Sequence, residues 1–357
     1  MKELTVGKAR GLQQLSNSKG IFAMCAFDHR RSMRKMMGHG GGTSVNYQAI
    51  VDFKLDLCEA LAPHASGIML DPNYGASQSI TAGVLPGSTG LLMSLEASVH
   101  SASDNAGQIT ELAPVWNMEK IRAIGSSGLK LPLSYRPDLP NIALEQLNAV
   151  TRFAHDCRKS DLAILLAPKN YVVRELERDA WEFARKKPEL MIETVQQLSK
   201  LPIDVLGVEF PSDVAYERDQ KRLAETCQQL NEAAAIPWVL LSGGVSFEVF
   251  CEQLEIACKA GASGFLAGRA LWQEAAGIPS KQRLQRFKFL EKTAVDRMKQ
   301  LTVLANKYGK SWHQMVEVRN NYLYPEITDV SSPDAEAEEV LLLEQPSEDD
   351  CPVETNP

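Results

Sequence analysis

The feature that most constrains the fold is a sustained alternation, from Gly20 to about residue 275, between short apolar runs and helical stretches. The runs are Ile21 to Phe27, Ser66 to Leu70, Gly90 to Leu95, Leu129 to Leu133, Leu162 to Leu166, Val205 to Phe210, Trp238 to Leu241 and Gly264 to Ala267. Between the first two, Val51, Leu55, Cys58 and Leu61 recur at spacings of four and three, which makes one apolar stripe on a helix. Leu144, Leu147, Val150 and Phe153 do the same. Parallel strands need long crossovers and are covered by the helices that supply them. Eight such units with no fixed-period repeat predict an α/β protein, a (β/α)8 TIM barrel ending near Ala275. A doubly wound open sheet is the alternative.

The chain has 357 residues, which suits one large barrel with additions. Residues 1–312 are expected to form the barrel and its terminal helices, with Arg283 to Lys307 as a C-terminal helical extension. The stretch Pro333 to Pro357 is rich in Glu, Asp, Ser and Pro and cannot bury enough apolar surface to offset its ordering entropy. Residues 325–357 are therefore expected to be a disordered acidic tail available to a partner. Val340 to Leu343 within it is either a docking segment or a chance apolar cluster. The net charge of -7 argues against a nucleic-acid surface. Seven cysteines form no CxxC pair and read as reduced core residues of a cytoplasmic protein. No signal peptide opens the chain and no apolar run is long enough to span a bilayer.

In a parallel barrel the site forms where the strands end. The first run ends in Asp28-His29-Arg30-Arg31, the second in Asp71, the third in Glu96, and the fourth includes Lys130 and reaches Arg136. The sixth includes Glu209, the seventh ends in Ser242-Gly243-Gly244, and the eighth in Gly268-Arg269. Each polar group alone is as compatible with a satisfied barrel core as with chemistry. The last two loops are more specific. Ser242, Gly243 and Gly244 offer backbone N–H groups ahead of a helix, and Arg269 adds a forked cation beside Gly268, a combination suited to phosphate. Arg30 joins them as a substrate-side cation, although Arg30, Arg31, Arg34 and Lys35 also read as a solvated helix face. The segment His39 to Thr43 is either a lid or a flexible connector. Trp238 and Trp272 read as barrel packing.

Phe22-Ala23-Met24, Asp28 with Arg30, Ala65 to Pro72 and above all Ala260 to Trp272 resemble the class I aldolases that split tagatose 1,6-bisphosphate or sulfofructose 1-phosphate, over about Leu4 to Trp312. The resemblance implies carbon–carbon cleavage of a phosphorylated ketose to a triose phosphate, with no cofactor and no metal. It implies association through outer helices into a homo-oligomer. It also implies that Asp28 is an active-site aspartate, that Lys130 is a lysine of the fourth strand, and that Ser242, Gly243 and Arg269 hold the substrate's anionic end. Two positions depart from it. The family's acid/base glutamate falls at Ala167 and its Schiff-base lysine at Gly207, and neither substitute can do that work.

Three accounts follow. An aldolase with a moved nucleophile uses Lys130, or Lys169 two residues beyond Ala167, with Asp28 or Glu209 as proton shuttle. A binding-only sensor or scaffold keeps the anion grip and has lost turnover. A metal-dependent aldolase needs converging ligands, and the six scattered histidines speak against it.

Overall fold

The computed structural model describes residues 1–38, 45–95, 97–101, 108–112, 118–158, 160–173, 176–177 and 179–320. Glu96, the whole segment His39 to Thr43, Cys351 and the tail after Asn320 lie outside the described residues. The chain divides into a unit Met1–Arg319 and a remainder from Asn320 onward.

Eight parallel strands close into a barrel in sequence order: β1 (Phe22–Ala26), β2 (Gly67–Leu70), β3 (Gly90–Ser94), β4 (Gly128–Ser134), β5 (Ala163–Lys169), β6 (Val205–Glu209), β7 (Trp238–Leu241) and β8 (Gly264–Ala267). Closure is by β8 against β1, with Gly264 opposite Phe22 and Leu266 opposite Met24. The open doubly wound sheet is therefore excluded. Helices return between the strands, among them Tyr47–Leu61, Pro140–Arg158, Ala180–Leu198, Gln220–Ala233 and Phe247–Ala260.

Two apolar layers follow from the alternation of side chains along a strand. Phe22, Met24, Ala26, Met69, Leu92, Leu165, Val205, Val239 and Leu266 belong to an inner cluster. Ile21, Ala23, Cys25, Phe27, Ile68, Leu70, Leu206, Val208 and Leu240 join the helices in an outer one. Both layers are buried, which is why these strands read as continuous apolar runs.

The inner cluster is extended by Leu4, Leu12, Leu15, Trp312 and Val316 from the two ends of the unit. Lys2–Thr5 pairs in parallel with Val316–Arg319, so the unit reaches Arg319 where the sequence suggested 312. That strand pair was not visible in the hydropathy, because each segment has four residues and only Leu4 and Val316 among them are buried. A second unexpected pair, Ala97–Ser101 antiparallel to Gln108–Leu112, follows β3. The C-terminal extension is Arg283–Phe289, a π-turn at Leu290–Ala294, and Val295–Tyr308. Arg283 and Arg286 anchor it to the buried Asp56, Arg286 at 2.7 Å.

Trp312 is fully buried, stacks on Phe22 with ring centroids 6.5 Å apart, and donates from Nε1 to Ser16 Oγ at 3.0 Å. Replacing Trp312 by Ala should cost about 3–5 kcal/mol. The measurement is a urea titration, expected to show a lower midpoint with an unchanged slope.

Candidate active site at the mouth of the barrel

Register sets the site. Ser94 on β3 lies opposite Lys130 on β4, and Lys130 lies opposite Leu165 on β5, so a hydroxyl and an amine stand side by side at one level of the barrel. Asp28 follows β1 and reaches both. Ser94 Oγ donates to Asp28 Oδ2 at 2.9 Å, and Lys130 Nζ donates to the same oxygen at 3.2 Å. Burial alone would raise the Asp28 carboxyl, but the Lys130 charge and the two hydrogen bonds outweigh it and hold Asp28 well below the usual carboxylate range.

His29 occupies the other side of Asp28, with Nδ1 3.5 Å from Oδ1. Its ring meets Trp272 edge-on at 5.1 Å between centroids and 80° between planes, and Trp272 is itself fixed by a hydrogen bond from Nε1 to Ala26 O at 3.1 Å. Burial pushes His29 down from 6.5 to about 4; Asp28 opposes this, while Arg269, Lys130 and Lys54 add to it.

The second half of the mouth is built by β7 and β8. Gly268 donates its N–H to Ser242 Oγ at 3.2 Å, tying the two loops together, and Arg269 donates from Nη2 to Gly243 O at 3.2 Å. Gly243 and Gly244 have φ of 57° and 91°, and a Cβ on Gly244 would lie 2.5 Å from the Arg269 guanidinium. Glycine is required there both for the turn and for the close approach of the arginine. Glu209 ends β6 on this side, where a Cβ on Gly243 would lie 3.8 Å from its carboxyl carbon. Arg30 is half-buried beyond Asp28, and its carbonyl accepts the Arg34 N–H at 2.9 Å.

The residues singled out in the sequence therefore fall into two groups: Asp28 and Lys130, and Ser242, Gly243, Gly244, Gly268, Arg269 with Glu209. Glu209 sits with the second group rather than in the Asp28–Lys130 network. Lys169 ends β5, which does continue through Pro168, and its side chain is exposed. Asp71 and Arg136 are buried structural groups. Asp71 contacts Lys54 Nζ and accepts the N–H groups of Asn73 and Tyr74 at 3.1 and 2.9 Å. Arg136 donates twice to Glu177, at 2.7 and 3.1 Å, and to Asp138 at 2.7 and 2.8 Å.

Ser94 and Lys54 were missed. Ser94 had a signal, the polar residue two positions after the inward Leu92, whereas Lys54 lies in an apolar helical pattern and is placed only by its partner. Among the described residues no group of three or more His, Cys, Asp or Glu side chains is arranged to hold a metal ion. No described helix is long and apolar enough to cross a membrane.

Gly207 lies inside β6 between Leu165 and Leu241. A Cβ there would stand 2.9 Å from Leu165 Cδ2 and 3.1 Å from Leu241 Cδ2. The ends of two leucine side chains cover the position. Ala167, on the inner face of β5, is buried with them.

The model of the DeoC/LacD family of aldolases matches residues 22–274, which span the whole barrel. The chain belongs to that family. Its relatives include tagatose 1,6-diphosphate aldolase of Listeria monocytogenes, 32% identical over 298 residues, covering 79% of this chain and 86% of the relative. Tagatose 1,6-diphosphate aldolase 2 of Streptococcus agalactiae is 27% identical over 328 residues, covering 88% and 99%. Among solved structures, fructose-bisphosphate aldolase of Plasmodium falciparum superposes with a TM-score of 0.67 at 12% identity, covering 87% of this chain and 98% of that one, a likeness of fold. The class I aldolase resemblance and the barrel expected from the sequence both hold.

The His29 environment makes a pH prediction. Above 6.5 the imidazole is neutral in both states; between 6.5 and about 4 the unfolded chain binds a proton that the folded one does not, so stability declines as pH falls through that window. Asp28 stays ionised throughout it. Melting temperature measured from pH 7.5 to 4 should fall less steeply in His29→Gln than in the wild type.

Proposed function

We propose that this chain takes a phosphorylated ketose, or the triose phosphate cut from it, at the mouth of the barrel and cleaves it as an aldolase whose amine is Lys130. The observation that carries this reading is the pairing of a glycine-turn loop couple suited to an anion, Ser242–Gly244 with Gly268–Arg269, and the Asp28–Lys130–Ser94 network from β1, β4 and β3. Arg269 and the β7 turn hold the phosphate. Lys130 stands where a carbonyl carbon can be attacked, with Ser94 and Asp28 fixing its position. The relatives named as tagatose 1,6-diphosphate aldolases support the substrate class. Asp28 is a weak base in this setting, because the Lys130 charge and the hydrogen bonds it accepts hold it ionised.

A second reading, a binding-only sensor or scaffold, is favoured by one observation: the strand position of Gly207 is filled by Leu165 and Leu241, while Lys130 is engaged by Asp28. A barrel that grips sugar phosphate without forming an imine needs no amine.

One measurement tests the anion site that both readings share, and a second separates them. Inorganic phosphate and dihydroxyacetone phosphate should each raise the melting temperature at millimolar levels, and Arg269→Ala should remove most of that shift. Borohydride added with dihydroxyacetone phosphate should trap one covalent adduct, mapped by peptide mass spectrometry to Lys130. Stabilisation without an adduct would overturn the aldolase reading and leave the sensor.

A further inference from the structure

Among the described residues His29 is a titratable group at the junction of the two halves of the mouth that neither half uses. Its Nδ1 is shielded from solvent and makes no hydrogen bond to any described residue. An unpaired buried nitrogen is destabilising, and such groups call for an explanation. Asp28 Oδ1 stands 3.5 Å from it, beyond the usual hydrogen-bond length. Because Oδ2 is taken by Ser94 and Lys130, Oδ1 is the oxygen that faces the ring.

The ring is held in place from two other sides. Trp272 packs edge-on against it, and Gly268 leaves room for it, since a Cβ there would lie 2.9 Å from His29 Cε1. Gly268 is the residue immediately before Arg269. The imidazole therefore abuts the loop that holds the anionic end of a ligand. A fifth of the His29 side chain is exposed, and Nδ1 contributes none of it, so the open edge belongs to the rest of the ring.

We infer that His29 is the acid/base of this site, with Asp28 orienting it through Nδ1 and Nε2 exchanging the proton with substrate. The arrangement has the logic of an Asp–His pair, in which a carboxylate sets the tautomer and leaves the far nitrogen as the base. Apo geometry of such pairs is often long and tightens in the complex. The charged groups that face the ring are Asp28 after β1, Lys130 on β4, Arg269 after β8 and Lys54 on the helix Tyr47–Leu61. Three of these are cations, and with burial they keep the imidazole neutral in the free site and make a proton taken from substrate one that it readily gives back. The role is the one that Ala167, with no ionisable group, does not fill.

The inference rests on the aldolase reading, and the step balances as follows. With the ketose carbonyl carbon C2 bound to Lys130 as an iminium, Nε2 takes the proton of the C4 hydroxyl. The O–H electron pair becomes the second bond of the departing aldehyde's carbonyl. The C3–C4 bond breaks, its electron pair forms the C2–C3 double bond of an enamine, and the displaced pair settles on the iminium nitrogen. Nε2 then returns the proton to C3, and water hydrolyses the imine to release the triose phosphate and Lys130.

The test uses the full chain, with His29→Gln and His29→Ala variants shown to be folded by thermal denaturation. Borohydride trapping with dihydroxyacetone phosphate reads the imine, and cleavage of tagatose 1,6-bisphosphate reads turnover. Both variants should still trap the Lys130 adduct, while cleavage falls by about 10²–10⁴-fold. Added imidazole should restore cleavage in His29→Ala, which a purely structural role would not allow. Cleavage within about twofold of wild type in either folded variant, or a loss in His29→Ala that imidazole does not reverse, overturns the assignment of His29 and leaves the aldolase reading standing. A wild-type chain that neither traps an adduct nor cleaves the sugar overturns both.

Discussion

Closure of eight parallel strands into a barrel is the constraint on which everything else depends. Closure leaves no unpaired edge, but it creates an interior that side chains must fill at crystal-like density. Phe22, Met24, Leu92, Leu165, Val239 and Leu266 fill it, and the chain termini add Leu4, Trp312 and Val316 to the same cluster. What remains for chemistry is the last inward position of each strand and the first residues of the loop beyond. Asp28, Ser94, Glu209, Ser242 and Gly268 belong to that ring of positions, and Lys130, earlier on β4, reaches it through its long side chain. The same constraint explains Gly207. Without a side chain of its own, it is covered by Leu165 and Leu241 from the neighbouring strands, so packing continues across the place where a longer residue would stand.

The charged groups inside the unit divide by how fully they are satisfied. Arg136 with Glu177 and Asp138, and Lys8 with Asp204, are largely buried pairs with several hydrogen bonds each. Removing one partner from such a pair leaves an uncompensated buried charge, which makes these groups structural. The mouth differs. Lys130 and Asp28 each retain 15% side-chain exposure, Arg269 is half-buried over a glycine turn, and the His29 Nδ1 is unpaired among the described residues. Groups that are only partly satisfied at the open end of a barrel are those that a ligand can complete.

Much of the barrel was legible in the chain because strand burial on both faces produces a local and unmistakable signal. The eight apolar runs coincide with β1 to β8 to within a few residues, and the runs at Trp238 to Leu241 and Gly264 to Ala267 coincide fully. The strands Lys2–Thr5 and Val316–Arg319 escaped notice, since their pairing joins residues more than 300 positions apart and each exposes polar side chains. The glycine turns after β7 and β8 were legible too, because Gly243, Gly244 and Gly268 are local requirements of a turn and of close approach. Asp71 and Arg136 could not be told from site residues, since only their partners, Lys54 and Glu177, reveal a structural role.

The sequence by itself determined the barrel, its strand order, the family, and the presence of glycine at 207 and alanine at 167. These follow from local pattern and from residue identity, which no packing can alter. Tertiary structure decided what those residues mean together. It set Ser94 beside Lys130 by strand register, gave Asp28 one oxygen for that pair and one for His29, and brought the His29 ring against the loop of Arg269. It also closed the space at Gly207 with leucines from two other strands. Each of these depends on distances between segments far apart in the chain, and such distances exist only once the sheet has closed.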